Sequence, residues 1–423
     1  MTIDLQKSSY RLFLFILIIY PYVFAINLIA PHTLPLGKNT YISMITLMLA
    51  VLFMINWRTV SRAIPMWTIL SLVFLTLMIP FLNYLFYGGV KDLAVFRFPL
   101  NVLVYLGVAY AFSADDSKKK TIYNVILYNA VIQAAVGIIH YFYFPYIETG
   151  CGDQPYRIFD PASYESPPHE RGLLINPNVF SLFLLIGCFL LTFREQAFKK
   201  NSLIELGLFL LLLYGIVLSG SRTGVILGVL LFIVFLVKST FREKAIVAIG
   251  LTLIVLLFYP FIENRIMSPF HKSYSSNDDA VGISITRSSR YVNALNLLTS
   301  DPVGFLIGTS REKTVEHKIM RGFSFSDNSF LLLGLHYGFP VAFMMLIALS
   351  SVVISLIDFK KSGILLFFIY LLISLFLYNS ILFDIWLFYF SASLMLLGRK
   401  SLSPMPSRGS ISFRLPAFSS TRN

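Results

Sequence analysis

The sequence predicts an all-α, polytopic membrane protein, on three observations. Of its 423 residues, 57% are hydrophobic and only 13% charged, and the mean hydropathy is +0.75. That is more apolar surface than a water-soluble fold can bury. The apolar residues gather in runs about long enough to cross a bilayer. Lys and Arg are concentrated between those runs, in every second connection. The net charge of +13 therefore reads as membrane topology, and a nucleic-acid partner is not expected.

About twelve runs are expected as transmembrane helices: roughly 11–30, 41–57, 66–87, 92–112, 121–144, 173–193, 202–219, 222–238, 245–262, 328–357, 363–379 and 381–398. The first lacks an A-x-A cleavage site and is expected to be retained. One set of alternate connections carries Arg58, Arg62, Lys118–Lys120, Arg194, Lys199, Lys200, Lys238, Arg242, Lys244, Lys360 and Lys361. The positive-inside rule then puts both termini in the cytoplasm. The expected layout is an integral membrane helical domain over 1–398, with long extracytoplasmic loops at 145–172 and 263–326. A basic tail over 399–423, rich in Ser, Pro and Arg, is expected to be disordered or lipid-associated. Cys151 falls in a loop and Cys188 in a span, which argues against a disulfide framework.

The polar residues of interest fall on the outward face. In "LSGSRTGVILG", Arg222 sits where two apolar runs meet, among Ser219, Gly220, Ser221, Thr223 and Gly224. A snorkelling arginine is the plain alternative. The small residues suggest a tight turn and clearance for a bulky headgroup, with Ser221 or Ser219 capping the next helix. Helix-start N–H groups plus a guanidinium make an anion site. "HERGLLINPNVFS" places Arg171 before a span, with Asn176-Pro177-Asn178 as a helix start at Pro177. Arg157, in "QPYRIFDP", is a further candidate from the same loop.

In "TRSSRYVNALNLLTSDPVGFLIGTS", an amphipathic helix over about 288–298 would start beside Arg287 and Arg290, either as a surface helix meeting lipid headgroups or as part of the site. "FSFSDNSFLLLGLHYGFP" puts Asp327 and Asn328 at the outer mouth of a span, as a helix cap or as a carboxylate over a cavity. Gly338 and Pro340 should break that span into a short outer and a longer inner piece. Three further residues have simpler readings: Arg97 and Glu205 as snorkelling side chains and Asp384 as a cap.

In that order, "RGLLINPN", "SGSRTG", "RYVNAL…DPVGFLIG" and "DNSFLLLGLHYGF" resemble the O-antigen ligase and O-antigen polymerase superfamily, bacterial integral-membrane glycosyltransferases acting on lipid-linked glycans. The resemblance runs from about residue 157 to residue 345. It implies a GT-C-like bundle in the bacterial cytoplasmic (inner) membrane and an undecaprenyl-pyrophosphate-linked oligosaccharide as donor. The implied partners are membrane lipids, a chain-length regulator and a flippase. In the ligase branch the motif closing the large loop begins with a histidine, and here Asp327 stands there. That departure favours the polymerase branch, with ligase activity as the alternative.

The chemistry follows from charge. As a glycosidic bond to pyrophosphate breaks, negative charge builds on the leaving group, and fixed guanidiniums can carry it. The sequence has no P-loop and no D-x-D motif, so neither a metal nor a cofactor is expected. Asp327, Arg222 and Arg290 are the expected catalytic residues; Arg171, Arg157, Arg287, Ser221, Asn178 and Asn328 are expected to hold pyrophosphate and glycan. Two rivals remain: a lipid-glycan flippase or transporter, although the matching halves of a repeat-built carrier are missing, and a peptidoglycan-type polymerase, which the arginine pattern disfavours.

Overall fold

A computed structural model describes residues 2–23, 38–88, 93–143, 149–150, 155–156, 174, 177–193, 202–237, 296–297, 300–309, 329–360, 363–377 and 384–400. The protein is an all-α membrane protein, as its composition requires. Its helices are α1 (Thr2–Ile19, continued by a 3-10 turn Tyr20–Tyr22), α2 (Lys38–Ile55), α3 (Trp57–Ala63), α4 (Met66–Tyr87), α5 (Leu93–Phe112), α6 (Asp116–Tyr143), α7 (Pro177–Thr192), α8 (Ser202–Leu218), α9 (Arg222–Val237), α10 (Pro302–Ile307), α11 (Ser329–Tyr337), α12 (Phe339–Leu356), α13 (Ile364–Leu377) and α14 (Asp384–Gly398). A short ribbon pairs β1 (Thr149–Gly150) with β2 (Pro155–Tyr156) between α6 and α7.

Each expected span that falls on described residues coincides with a helix. Three of these helices are long and apolar enough to cross a bilayer by themselves: Met66–Tyr87, Asp116–Ile139 and Phe339–Leu356. A fourth qualifies if the bent pair Tyr41–Ile55 and Trp57–Ala63, at 76°, is one span. That bend was not expected. It sits at Asn56, whose side-chain amide donates to the Leu52 carbonyl at 2.8 Å. The run at 245–262 lies outside the described residues.

The innermost helix is α14. Every residue from Ile385 to Gly398 is buried, as befits a helix that is apolar all round. It runs alongside α5: Asn101, midway along α5, donates to Asp384 at the start of α14 at 2.9 Å. Near their ends, Arg399 Nε donates to the Tyr110 carbonyl at 3.0 Å and the guanidinium stacks 4.4 Å from that ring's centroid. α7 runs the same way, with Phe183 against Tyr389 at 4.8 Å. Lys118, over the Tyr10 ring, and Lys400, whose N–H reaches the Leu356 carbonyl, lie at the Tyr110 end. Arg58 and Arg62 join them, because Gly107 in α5 packs on Val60 of α3. One end of the bundle is therefore basic, and the starts of α5, α7, α9 and α14 lie at the other.

Small residues let these helices approach closely. A Cβ on Gly187 of α7 would lie 2.8 Å from Leu212 of α8, and one on Gly215 of α8 would lie 2.7 Å from Leu184 of α7. The outward face of α4 (Leu70, Phe74, Leu77, Phe81) is exposed apolar surface suited to lipid, while Leu72, Ile79 and Asn83 face inward.

Two interruptions are repaired by side chains and backbone from elsewhere. Pro21 has no N–H, so the Leu17 carbonyl four residues earlier loses its helical donor. Asn129 of α6 donates to that oxygen at 2.9 Å, and the Tyr389 hydroxyl of α14 donates to it as well. The second interruption is the break between α11 and α12 at Gly338 (φ +78°), where Pro340 cannot extend the hydrogen-bond ladder of α11. α10 plugs this break. The Thr309 N–H donates to the Leu335 carbonyl at 2.9 Å, and Asn83 of α4 donates to Ile307 O at 3.0 Å.

The contact at the plug is backbone on backbone. A Cβ on Gly338 would lie 2.3 Å from the Leu306 carbonyl group, and one on Gly308 (φ +90°) would lie 2.2 Å from the His336 carbonyl oxygen. Gly338→Ala should therefore cost about 2 kcal/mol or more through strain and clash together. Gly207→Ala, with nothing within 4 Å of the added Cβ, should be neutral. Thermal unfolding of detergent-purified protein, followed by size-exclusion chromatography, measures both.

Candidate functional site

The turn between α8 and α9 is built from caps. Past Leu218 the chain turns at Gly220, which has φ +65°, a conformation that favours glycine. The Ser219 hydroxyl donates to the Ile216 carbonyl at 2.6 Å and accepts the Ser221 N–H at 3.2 Å. The Ser221 hydroxyl accepts the Gly224 N–H at 3.3 Å, and the Ser221 carbonyl accepts the Val225 N–H at 2.9 Å. Ser221 is thus the N-cap of α9, bonding the third residue of the helix in the usual way. Arg222 is the first residue of α9.

The next contact joins the starts of two helices. A Cβ on Gly224 would lie 2.8 Å from the Cβ and hydroxyl of Ser181 in α7. The Ser181 hydroxyl in turn donates to the Asn178 carbonyl at 3.0 Å. Asn178 is half-buried in the first turn of α7, which begins at Pro177 as its Asn-Pro pair predicts. The small residues of "SGSRTG" therefore serve mainly as turn, cap and helix contact. Ser219 and Ser221 are buried, and the clearance expected for a headgroup is used by α7.

Of the expected site residues, the structure brings together Ser221, Asn178 and the helix start that carries Arg222. Arg157, Arg171, Arg287, Arg290, Asp327 and Asn328 lie outside the described residues. Of the helix expected over 288–298, residues 296–297 are described and helical, and Leu297 packs with Leu335 of α11. Asp327 and Asn328 immediately precede Ser329, where α11 begins. Glu205 is buried in the first turn of α8 and does not snorkel; a carboxylate is favoured there by the helix dipole.

Residues 207–346 match the family model described as O-antigen ligase. The match supports a likeness of this part of the chain to the O-antigen ligase and polymerase superfamily. The domain begins within α8 and ends within α12, so it contains the capped turn, Arg222, the plug α10 and the broken pair α11–α12. Arg157, Arg171 and Asn178 precede the match. No curated protein matches the chain.

Sequence reading undervalued two residues. Asp384 accepts from Asn101 of α5 and feels the charge of Arg97, one turn earlier in that helix, at the end of the bundle where α9 starts. An arginine inside an apolar run was the available signal, but its partner is remote in sequence.

The cap can be tested by itself. Ser221→Ala should destabilise the protein by about 1 kcal/mol, and Ser221→Asn, which keeps a capping oxygen, should recover most of that. Denaturation midpoints of the two variants decide it.

Proposed function

We propose that the protein is a surface-polysaccharide polymerase. In this reading it joins polyprenyl-pyrophosphate-linked repeat units on the outer face of the bacterial cytoplasmic membrane, with both termini inside. The observation that carries the reading is the start of α9. A capped helix N-terminus headed by Arg222 stands in the O-antigen ligase domain, at the end of the bundle away from the basic residues. Helix-start N–H groups and a guanidinium are suited to a pyrophosphate.

The acceptor sugar's hydroxyl oxygen attacks the anomeric carbon of the donor. Its proton passes to the Asp327 carboxylate. The bond to pyrophosphate breaks with its electron pair, giving polyprenyl pyrophosphate, whose growing charge is held by Arg222 and Arg290 with Arg171, Arg157 and Arg287. Asn178 and Asn328 would bond glycan hydroxyls; Ser221 contributes by holding the helix start. Fixed arginines can do this without a metal or cofactor. Membrane lipids, a flippase delivering donor and a chain-length regulator are the implied partners.

Ligase activity, with lipid A-core as acceptor, is the second reading, and the family match is compatible with both. Asp327 in place of a histidine favours the polymerase. Supplying purified protein with lipid-linked repeat units, with and without lipid A-core, separates the two by product.

Arg222→Ala should slow chain extension by on the order of a hundredfold to a thousandfold while the protein still accumulates in the membrane. Unchanged polymer length would remove the arginine mechanism. Asp327→Asn should give a comparable loss; full activity there would leave Asp327 as a helix cap. EDTA should leave the rate of the purified enzyme unchanged, and a loss restored by a divalent cation would show that a metal takes part.

A further inference from the structure

A second polar cluster lies at the same end of the bundle, outside the matched domain. α5 presents Arg97, Asn101 and Tyr105 four residues apart, on one stripe. Asp384, the first residue of α14, accepts from Asn101 at 2.9 Å. Arg97 Nη1 donates to the hydroxyl of Ser43 in α2 at 3.3 Å. Tyr20 and Tyr105, both fully buried, form the floor.

Three features of this cluster are unspent. Arg97 Nε–H is buried without a partner. The Tyr20 hydroxyl makes no well-directed hydrogen bond: it has only the Tyr105 hydroxyl beside it, and lies within electrostatic reach of Asp384 and Arg97. Among the described residues, no ion pair or hydrogen bond closes the gap between the guanidinium and the carboxylate, although Asp384 feels the charge of Arg97. The guanidinium is exposed where Nη1 meets Ser43 and buried at Nε. An arginine whose buried donor has no acceptor, facing a carboxylate it does not touch, calls for a missing group.

The missing group must accept from Arg97 and donate to Asp384. Phosphate is repelled by the carboxylate, and a cation by the guanidinium. A hydroxyl does both, and the Asn101, Ser43 and tyrosine groups around it suit a polyhydroxylic ligand. We infer that Arg97, Asp384 and Tyr20 form a sugar-binding subsite that grips a hydroxyl pair of the lipid-linked glycan. The inference rests on the proposed glycan chemistry. It assigns these residues to glycan binding, apart from the pyrophosphate site.

The test uses full-length protein in phosphatidylcholine nanodiscs, with the lipid-linked oligosaccharide extracted from producing cells as substrate. Asp384→Asn and Arg97→Gln should each raise KM about tenfold or more with kcat within about twofold. Tyr20→Phe is the decisive variant, because it deletes a hydroxyl whose one hydrogen-bonding neighbour inside the described residues is the Tyr105 hydroxyl, with no well-directed bond between them. A purely structural role predicts unchanged KM and equal or higher thermal stability; the subsite predicts a raised KM at unchanged stability. Unchanged KM in well-folded Tyr20→Phe and Asp384→Asn would overturn the subsite and leave the cluster a clamp between α5 and α14.

A glycerol headgroup offers the same hydroxyl chemistry as a sugar. Thermal stabilisation of wild type by phosphatidylglycerol, lost in Asp384→Asn and unaccompanied by a KM effect, would assign the cluster to lipid and overturn the glycan assignment. The oligosaccharide released from its lipid by mild acid separates this inference from the polymerase reading. Saturation-transfer signals on wild type that vanish in Asp384→Asn would uphold the subsite even if wild type extends no glycan. Extension by wild type with no such signals and no KM change would sink the subsite and leave the polymerase standing.

Discussion

Everything in this bundle answers to one requirement: in a lipid environment each backbone donor and acceptor must find a partner within the protein. Where a helix is continuous the requirement is met locally. Where it is interrupted, another part of the chain must supply the group. The carbonyl orphaned by Pro21 is met by Asn129 and Tyr389, from α6 and α14. The α11–α12 break is met by Thr309 at the end of α10. The start of α9 is met by Ser221. Each repair joins segments far apart in sequence or fixes a helix end, so the interruptions determine which helices must be neighbours.

The same requirement concentrates polar chemistry at one end. Glycines at the α7–α9 contact, and where the end of α10 meets the α11–α12 break, leave no room for side chains, so the segments there pack closely. The basic end is held by different means: Arg399 stacks on Tyr110, and the 357–358 and 399–400 segments exchange backbone hydrogen bonds. The bundle is closed at the basic end by aromatic and backbone contacts. At the other end it carries capped helix starts and unspent polar groups.

Much of this was legible in the sequence because hydropathy is a local property. α4 occupies the expected 66–87, and the break at Gly338 follows from a Gly and a Pro two residues apart. The α2–α3 bend was not legible, since Asn56 carries no such mark and acts through its own side chain. Ser221 could be read as a cap, but its burial, and the use of Gly224 for contact with Ser181, depend on a helix some forty residues away. Arg97 and Asp384 were each visible as an oddity. Only the packing of α5 on α14, which brings residues 101 and 384 into a hydrogen bond, turns two oddities into one cluster.

The burial of α14 also bears on how the protein is made. In chain order it is the last of the described helices, and it is the one enclosed by the others. The ribosome therefore delivers the centre after the shell. Until α14 arrives, the shell helices surround an unfilled position, with Asn129 and the Leu17 carbonyl lacking the Tyr389 hydroxyl and Asn101 lacking its carboxylate. A chain stopped short of residue 384 therefore lacks its core rather than its periphery.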